Sequence, residues 1–281
     1  NPKGALHGHR FLIGHLPSVE MYYNFFPHQG DIGWTPADWA WIGGLMDLAM
    51  PCLYYGVPLI SHRMRKFDPE AAYRLMAAER TSCLFIPPTA LKLMAQATAP
   101  TDLSVRAVFS GGESLGPDLL DWGHRALNAP INEGYGQTEC NLVLGSCAGS
   151  MEVRPGSMGQ AIPGHEVAVI GTDGAPVAAG VIGEIAVRAP DPVMFLEYWN
   201  KPEETAKKFS GDWMRTGDLG RRDSDGYFWY NSRDDDVITS SGYRIGPVEI
   251  ENCLTGHPDV VMAAVIGVPD SERTEVVKAF V

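Results

Sequence analysis

A regular alternation of helix-start signals and short apolar runs between residues 68 and 140 constrains the fold most. Asp68-Pro69-Glu70 combines a capping carboxylate, a proline at the first helical position and an acid in the first turn, which predicts a helix start. Further helices are predicted from Thr89 and from Gly116. Between them lie apolar runs that predict strands, at residues 83–86, 107–109 and 126–131. Strand–helix–strand units spaced this way predict an α/β fold with a parallel sheet covered by helices.

An apolar segment, Trp39 to Ile60, precedes this region. Thr35-Pro36-Ala37-Asp38 carries the same start signal as Asp68-Pro69-Glu70 and predicts a helix running towards Met50. The segment is long enough to suggest a membrane span, but one aspartate, two prolines and three glycines interrupt it. We therefore expect a buried helix followed by a turn, and no membrane span.

The sequence pattern changes near Met151, where short strands with turn residues replace the helices. Residues 166–170 and 184–188 predict strands, and Asp225-Gly226 predicts a hairpin turn. This indicates a small antiparallel barrel or sheet.

The C-terminal part of the chain predicts a third unit. Gly246-Pro247 predicts a helix start and Val260 to Val268 a strand. We expect the large α/β part at residues 1–150, the β subdomain at 151–234 and the beginning of an α+β C-terminal domain at 235–281.

Composition limits the classes of partner. The 281 residues carry a formal net charge of −12, which argues against a broad nucleic-acid surface, so any anion site must be built locally. The five cysteines form no pair at metal-binding spacing, which favours a reducing, cytoplasmic compartment. No histidine has a serine or cysteine partner at motif spacing, so a hydrolase triad is disfavoured.

Two glycine-containing stretches follow neighbouring predicted strands. They are Ser110-Gly111-Gly112-Glu113-Ser114 and Gly134-Tyr135-Gly136-Gln137-Thr138-Glu139. In a parallel sheet they would lie side by side at the carboxyl ends of the strands, where ligands bind. Glycines would let a ligand approach the backbone, and the polar residues would hold it. The alternative is a pair of ordinary glycine turns with solvated side chains.

Four spaced motifs resemble those of one family. They are Asn1-Pro2-Lys3-Gly4, Tyr135-Gly136-Gln137-Thr138-Glu139, Thr216-Gly217-Asp218 and the stretch from Arg233 to Arg244. In this order they resemble the adenylate-forming enzymes, specifically the acyl-CoA synthetases of the acetyl and medium-chain type. The resemblance spans nearly the whole chain. It implies that a carboxylic acid is joined to the α-phosphate of ATP and then transferred to the thiol of CoA.

The resemblance implies a role for each polar residue of the phosphate site. Lys3 and Arg244 would contact phosphate, and Thr138 would donate a hydrogen bond to the α-phosphate. Glu139 would bind Mg²⁺, as a hard oxygen donor suited to that cation. For Thr138 the alternative is a solvated turn residue.

The nucleoside contacts follow from the same resemblance. Asp218 would accept the two ribose hydroxyls, and Arg233 would contact ribose or phosphate. For Arg233 the alternative is an ion pair with a neighbouring aspartate. The remaining residues implied to bind nucleotide, the first three on the adenine side, are Gly112, Glu113, Ser114, Glu133, Gly134, Tyr135, Gly136 and Gln137.

Three further residues are implied to serve the second half-reaction or the acid. Asp235 would be the hinge of the C-terminal lid domain, and Gly242 would line the pantetheine tunnel. The bland alternative for 234–236 is a solvated acidic turn. Trp41 would form a wall of the acyl or pantetheine pocket, and its alternative is core packing.

Gly136 carries an expectation about the acid. Acetate-restricted members of the family have a tryptophan at the position of Gly136, so glycine is expected to leave space behind the acid. If that space is apolar, each buried methylene adds roughly 0.8 kcal/mol, which favours acids of about four to ten carbons.

The chain is expected to be a fragment, because the front of the phosphate loop would lie before Asn1 and the lid lysine after Val281. Such a fragment would lack activity by itself. The expected ligands are ATP, Mg²⁺, CoA and a small carboxylic acid, and the oligomeric state stays open. The rival hypotheses are an adenylation domain that uses another acid or a carrier-protein acceptor, and a non-catalytic nucleotide-binding remnant.

Overall fold

The computed structural model describes residues 3–112, 115–234, 236–241, 243–257, 259–270 and 273–281, and only the backbone of Arg244. The strands are β1 (Ala5–Leu6), β2 (Gly33–Trp34), β3 (Leu59–Ile60), β4 (Cys83–Phe85), β5 (Ala107–Gly111), β6 (Ile131–Gln137), β7 (Asn141–Gly145), β8 (Gln160–Ala161), β9 (Val167–Ile170), β10 (Gly183–Arg188), β11 (Glu197–Tyr198), β12 (Phe209–Ser210), β13 (Trp213–Arg222), β14 (Phe228–Arg233), β15 (Ile238–Ser240), β16 (Tyr243–Ile245), β17 (Ala264–Asp270) and β18 (Thr274–Phe280). The α-helices are α1 (Arg10–Tyr22), α2 (Ile42–Gly44), α3 (Met50–Tyr55), α4 (Pro69–Glu79), α5 (Pro88–Ala95), α6 (Pro117–Trp122), α7 (Pro202–Lys207) and α8 (Pro247–Thr255). Two π-helical segments span Leu45–Ala49 and Gly123–Leu127.

The largest sheet has seven strands in the order β3-β2-β4-β5-β6-β7-β8. Strands β3 to β6 along this order are parallel, which confirms the α/β prediction. Strands β7 and β8 run antiparallel, so the sheet is mixed rather than wholly parallel. For β7 the reason is the short connection between Gln137, the end of β6, and Asn141, the start of β7, because so few residues can join only antiparallel strands.

The helix start predicted at Asp68 is confirmed. The Asp68 side chain accepts hydrogen bonds from the backbone N–H groups of Glu70 and Ala71, and α4 follows at once. The helix expected from Thr35 is wrong, since helical structure begins only at Ile42. Thr35 Oγ1 instead accepts from the N–H of Ala37 at 3.0 Å, which makes a turn rather than a cap.

The apolar segment from Trp39 to Ile60 is only partly buried. Its helical part presents Leu48 and Cys52 to the core, with no exposed surface on either. Leu53 and Trp41, by contrast, are mostly exposed. The expected buried helix followed by a turn is therefore confirmed only in part, because one side of the helix is exposed. Within the described ranges, no helix has both the length and the apolar character that a membrane crossing requires.

The β subdomain is a five-stranded antiparallel sheet, as predicted. Its strands follow the order β12-β13-β10-β9, and β14 pairs with β13 across the turn at Asp225-Gly226. This pairing places Asp218 directly opposite Arg233.

The C-terminal unit is an α+β arrangement, in agreement with the prediction. Its four strands follow the order β16-β15-β18-β17, with α8 beside β17. Strand β17 begins at Ala264, later than the predicted start at Val260. Asp235 lies outside the described residues, so the domain boundary near it stays a prediction.

Candidate active site

A cavity of about 590 Å³ lies between the ends of β5 and β6, the β13–β14 hairpin and helix α8. Register pairs Ser110 with Glu133 and Gly111 with Gly134, so the two glycine-containing stretches do lie side by side. Eight of the predicted site residues line the cavity, namely Gly112, Glu133, Gly134, Tyr135, Gly136, Gln137, Asp218 and Arg233.

Glu133 forms a buried acidic wall of this cavity. Only 6% of the residue is exposed, and the backbone N–H of Leu115 donates to its Oε1 at 3.3 Å. Its Oε2 has no hydrogen-bond partner in the part of the chain that the structure describes. Burial raises the pKa of the Glu133 carboxyl to about 8. Near pH 7 the group is therefore mostly neutral and able to donate as well as accept a hydrogen bond.

Asp218 is held by neighbours on two strands. The Tyr135 hydroxyl donates to Asp218 Oδ2 at 2.6 Å, and Gln137 Nε2 lies 3.5 Å from the same oxygen. Arg233 Nη1 lies 3.7 Å from Asp218 Oδ1. Arg233 thus faces an aspartate on the paired strand. The two residues predicted to contact ribose occupy one edge of the cavity.

Glu139 and Lys3 both contact Tyr198. The Tyr198 hydroxyl donates a short hydrogen bond to Glu139 Oε1, and Lys3 Nζ lies 4.5 Å from the centre of the Tyr198 ring. Lys3 Nζ also lies 4.0 Å from Glu204 Oε2. The antiparallel pairing of Ala5 with Tyr198 brings these parts of the chain together. The predicted metal ligand and the predicted phosphate-binding lysine therefore share one neighbour.

The donor set at Glu139 is compatible with Mg²⁺. Among the described residues, no cluster of three or more histidine, cysteine, aspartate or glutamate side chains could hold a metal ion by itself. Mg²⁺ commonly takes only one or two carboxylates and completes its shell with water and phosphate oxygens. The single half-buried carboxylate of Glu139 fits that requirement.

Thr138 lies in the exposed turn between β6 and β7. His7 Nε2 and the backbone carbonyl oxygen of Thr138 are 2.7 Å apart, which fixes this turn against the N-terminal strand. Burial lowers the pKa of His7, and the hydrogen bond to Thr138 opposes that shift.

Glycine is needed at different positions of the two stretches for different physical reasons. Gly112 has a φ of +93°, and a Cβ there would meet no atom within 4 Å, so a ligand could approach its backbone. A Cβ on Gly134 would lie 2.6 Å from the rings of Tyr22 and Phe109. Gly134 is thus required by core packing, not by ligand access.

Gly136 contradicts the expectation of open space. A Cβ on Gly136 would lie 1.4 Å from the backbone carbonyl oxygen of Asn141, at a register shift between β6 and β7. The space in the side-chain direction is occupied by backbone. Although Gly136 lines the cavity, its glycine is explained by close approach of two strands rather than by room for a longer acid.

Trp41 is 74% exposed, so the core-packing alternative for it is wrong. Its predicted role as a pocket wall stays a prediction. Glu113, Ser114, Asp235, Gly242 and the side chain of Arg244 lie outside the described residues.

Sequence reasoning missed three residues that the fold brings to the site: His7, Tyr198 and Lys208. Lys208 Nζ donates to Gln137 Oε1, and the two residues are 71 positions apart. No spacing pattern could reveal such contacts, because they depend on how β1, β11 and β12 are arranged around β6.

Comparison with known proteins gives the family. Residues 1–199 match the model of the AMP-binding enzyme family, and residues 249–281 match the AMP-binding enzyme C-terminal domain. An uncharacterized acyl–CoA ligase of Bacillus subtilis (strain 168) is 35% identical over 291 residues, covering 100% of this chain and 53% of that protein. The acetyl-coenzyme A synthetase of the same organism is 35% identical over 287 residues, covering 100% of this chain and 50% of that protein.

A solved structure, ATP-bound MatB from Rhodopseudomonas palustris, superimposes with a TM-score of 0.88 at 30% identity. The match covers 99% of this chain and 54% of that one. The chain thus spans about half the length of the relatives it matches. Because one family model covers well over half of the chain and these relatives match it from end to end, the chain belongs to the AMP-binding enzyme family.

Proposed function

We propose that the full-length gene product containing this chain is an ATP-dependent acyl-CoA synthetase, which activates a carboxylic acid as acyl-AMP and transfers it to CoA. The observation that carries the proposal is the position of Asp218, which lies in one cavity with Glu133 and Gly112. The turn that bears Thr138 and Glu139 directly follows β6, which contributes Glu133 to that cavity. The names of the matched ligase and synthetase support the same activity.

The nucleoside end of ATP would be held by groups of opposite character. The Asp218 carboxylate would accept the ribose hydroxyls, while Arg233 would donate to ribose or phosphate. The neutral carboxyl of Glu133 could both donate to and accept from a base edge, which a charged carboxylate could not. The open backbone at Gly112 would allow the base to lie close.

The phosphate end would be held by groups around the β6–β7 turn. Lys3, Thr138 and Arg244 would donate to phosphate oxygens and so offset the negative charge of the phosphates. The chain as a whole is acidic and cannot supply that compensation. Glu139 would hold Mg²⁺, which when bound supplies charge neutralisation at the phosphate oxygens.

The proposed reaction consists of two nucleophilic substitution steps. A carboxylate oxygen of the acid attacks the α-phosphorus of ATP, the bond to the bridging oxygen breaks, and pyrophosphate leaves with that electron pair. The thiolate of CoA then attacks the acyl carbon, and AMP leaves. The residues around the cavity would orient the reactants and exclude water.

Helix α8 forms the wall of the cavity that faces β6, and it contributes Glu251 and Asn252. A rotation of the C-terminal unit would therefore replace part of the wall between the two half-reactions. Asp235 as the hinge and Gly242 as the tunnel residue are proposed on the family resemblance.

The acid is proposed to be short to medium in chain length, about four to ten carbons, with Trp41 at the pocket wall. This range now rests on the family resemblance, because the packing at Gly136 removes the argument from open space. The cytoplasm is the proposed compartment.

The test is acid-dependent ATP–pyrophosphate exchange by the full-length gene product, with straight-chain acids of increasing length. Thioester formation is then compared between free CoA and a carrier-protein acceptor. Exchange followed by transfer to CoA is the expected result. Exchange with transfer only to the carrier would support the adenylation-domain rival, and binding of ATP without any exchange would support the non-catalytic one.

A further inference from the structure

A half-buried lysine, Lys208, directly follows α7 and contacts Gln137 at the end of β6. Its Nζ lies 3.0 Å from Gln137 Oε1, 3.0 Å from the carbonyl oxygen of Arg215 and 3.2 Å from that of Thr216. A lysine ammonium group has three N–H donors, and here three acceptors meet them. All three N–H donors of the ammonium group are therefore used in hydrogen bonds within the protein.

The contact with Lys208 determines which way the Gln137 amide faces. An ammonium group can only donate, so the oxygen of the amide must face Lys208 and the nitrogen must face the other side. Gln137 Nε2 accordingly lies 3.1 Å from the Thr216 carbonyl oxygen and 3.5 Å from Asp218 Oδ2. With the amide reversed, two oxygen acceptors would face each other at Asp218.

The polar chain continues to the ribose site. Asp218 Oδ2 receives the Tyr135 hydroxyl as well as the Gln137 amide, while Oδ1 faces Arg233. Burial lowers the pKa of Lys208, and the charge of Glu139 opposes that shift.

We propose that Lys208 is a positioning residue, which orients Gln137 and through it holds the Asp218 carboxylate in the geometry that binds the ribose hydroxyls of ATP. This inference rests on the proposed function, since it takes Asp218 to be the ribose ligand. It adds a residue that the motifs do not contain.

The experiment measures the dissociation constants of ATP, 2′-deoxy-ATP and 3′-deoxy-ATP by calorimetry on the full-length gene product and its Lys208→Met variant. Methionine keeps the length and apolar stem of lysine and removes the donors. We expect the variant to bind ATP roughly tenfold more weakly and to bind at least one deoxynucleotide almost as well as the wild type. The ratio between the dissociation constants of that analogue and of ATP is then smaller in the variant than in the wild type.

The matched control is Lys207→Met. Lys207 is the adjacent lysine, its side chain is 70% exposed, and it pairs with Glu204 on the surface of α7. It should leave all three dissociation constants unchanged. A Gln137→Leu variant should narrow the discrimination as Lys208→Met does, and combining the two should add little. If Lys208→Met does not fold, Lys208→Leu, which also lacks donors, serves for the same comparison.

Equal weakening for ATP and both deoxynucleotides would overturn the proposal, as would additive effects of the Lys208 and Gln137 changes. A wild-type protein that does not discriminate between the nucleotides would overturn it too. Absence of acid-dependent exchange, with the binding pattern as expected, would instead contradict the proposed function and leave the role of Lys208 standing.

Discussion

Tyr198 donates its hydroxyl hydrogen to the carboxylate of Glu139, a residue 59 positions earlier in the chain. Burial raises the pKa of the Tyr198 hydroxyl well above its ordinary value, and the hydrogen bond to Glu139 adds to that rise. The tyrosine therefore stays a donor throughout the pH range in which proteins are folded. This fixes one oxygen of Glu139 and orients the other.

Tyr198→Phe should accordingly impair the proposed metal site without removing its ligand. We expect the concentration of Mg²⁺ needed for half-maximal pyrophosphate exchange to rise roughly tenfold, because orienting partners of metal ligands typically have effects of this size. Tyr227→Phe is the matched control, since Tyr227 donates a single hydrogen bond to the Glu152 carbonyl oxygen away from this site. Both should lower the free energy of unfolding by about 1 kcal/mol, and only Tyr198→Phe should alter the Mg²⁺ dependence.

Glu139→Gln removes the charge at the same site while keeping the volume. Acid-dependent pyrophosphate release should fall by roughly a hundredfold or more, and the melting temperature should change little. Glu166→Gln, which alters an exposed ion pair with Arg188, is the control and should keep full activity. A folded Glu139→Gln protein with a normal adenylation rate would remove Glu139 from the proposed mechanism.

The proposed hinge separates the two half-reactions. Asp235→Pro fixes one backbone dihedral, so acyl-AMP formation should persist while transfer to CoA is impaired. Gly242→Leu should give the same separation by filling the proposed tunnel. Single-turnover assays measure each half-reaction, and equal loss of both in the two variants would contradict the rotation.

Much of the fold could be predicted from the sequence, because the signals involved are local. Asp68 caps α4 through bonds to the next residues along the chain, and the Asp225-Gly226 turn joins β13 and β14. Thr35 shows the limit of such signals, since its hydroxyl makes a local turn bond that a sequence pattern does not distinguish from a cap.

The site was predictable only where a motif is continuous in the sequence. The cavity does bring together Gly112, Glu133 and Asp218. Tyr198 and Lys208, which contact Glu139 and Gln137, come from elements whose positions are set by long-range strand pairing. The reason why residue 136 is a glycine could not be predicted either, because the atoms that a Cβ would meet belong to the backbone of the facing strand.

Glu133 makes stability depend on pH. Its pKa is raised by burial to about 8 in the folded protein, against about 4.3 for an exposed glutamate. Between these values the folded state holds a proton that the unfolded state has released. The contribution is therefore fully present below about pH 4.3 and is lost as the pH rises towards 8, by at most about 5 kcal/mol.

The measurement is urea unfolding between pH 5 and 9 of the wild type and Glu133→Gln. The amide has no proton to lose, so the decline of the unfolding free energy over this range should be smaller in the variant. Parallel pH profiles in the two proteins would show that Glu133 does not titrate in this way.

The last prediction concerns Gly136, where packing and the family comparison lead to opposite expectations. If glycine merely leaves pocket space, Gly136→Ala should be harmless and Gly136→Trp should shift acid preference towards acetate. Because a Cβ would lie 1.4 Å from the Asn141 carbonyl oxygen, the backbone of β7 must instead move. We expect Gly136→Ala to lower the free energy of unfolding by about 2–4 kcal/mol and Gly136→Trp to do so at least as strongly. Gly8→Ala is the control, since a Cβ there would make only an ordinary contact at 3.9 Å, and it should stay within about 0.5 kcal/mol. A Gly136→Trp protein with the wild-type unfolding free energy and a profile shifted to two-carbon acids would show that the strand yields at this position and that the glycine does set the pocket length.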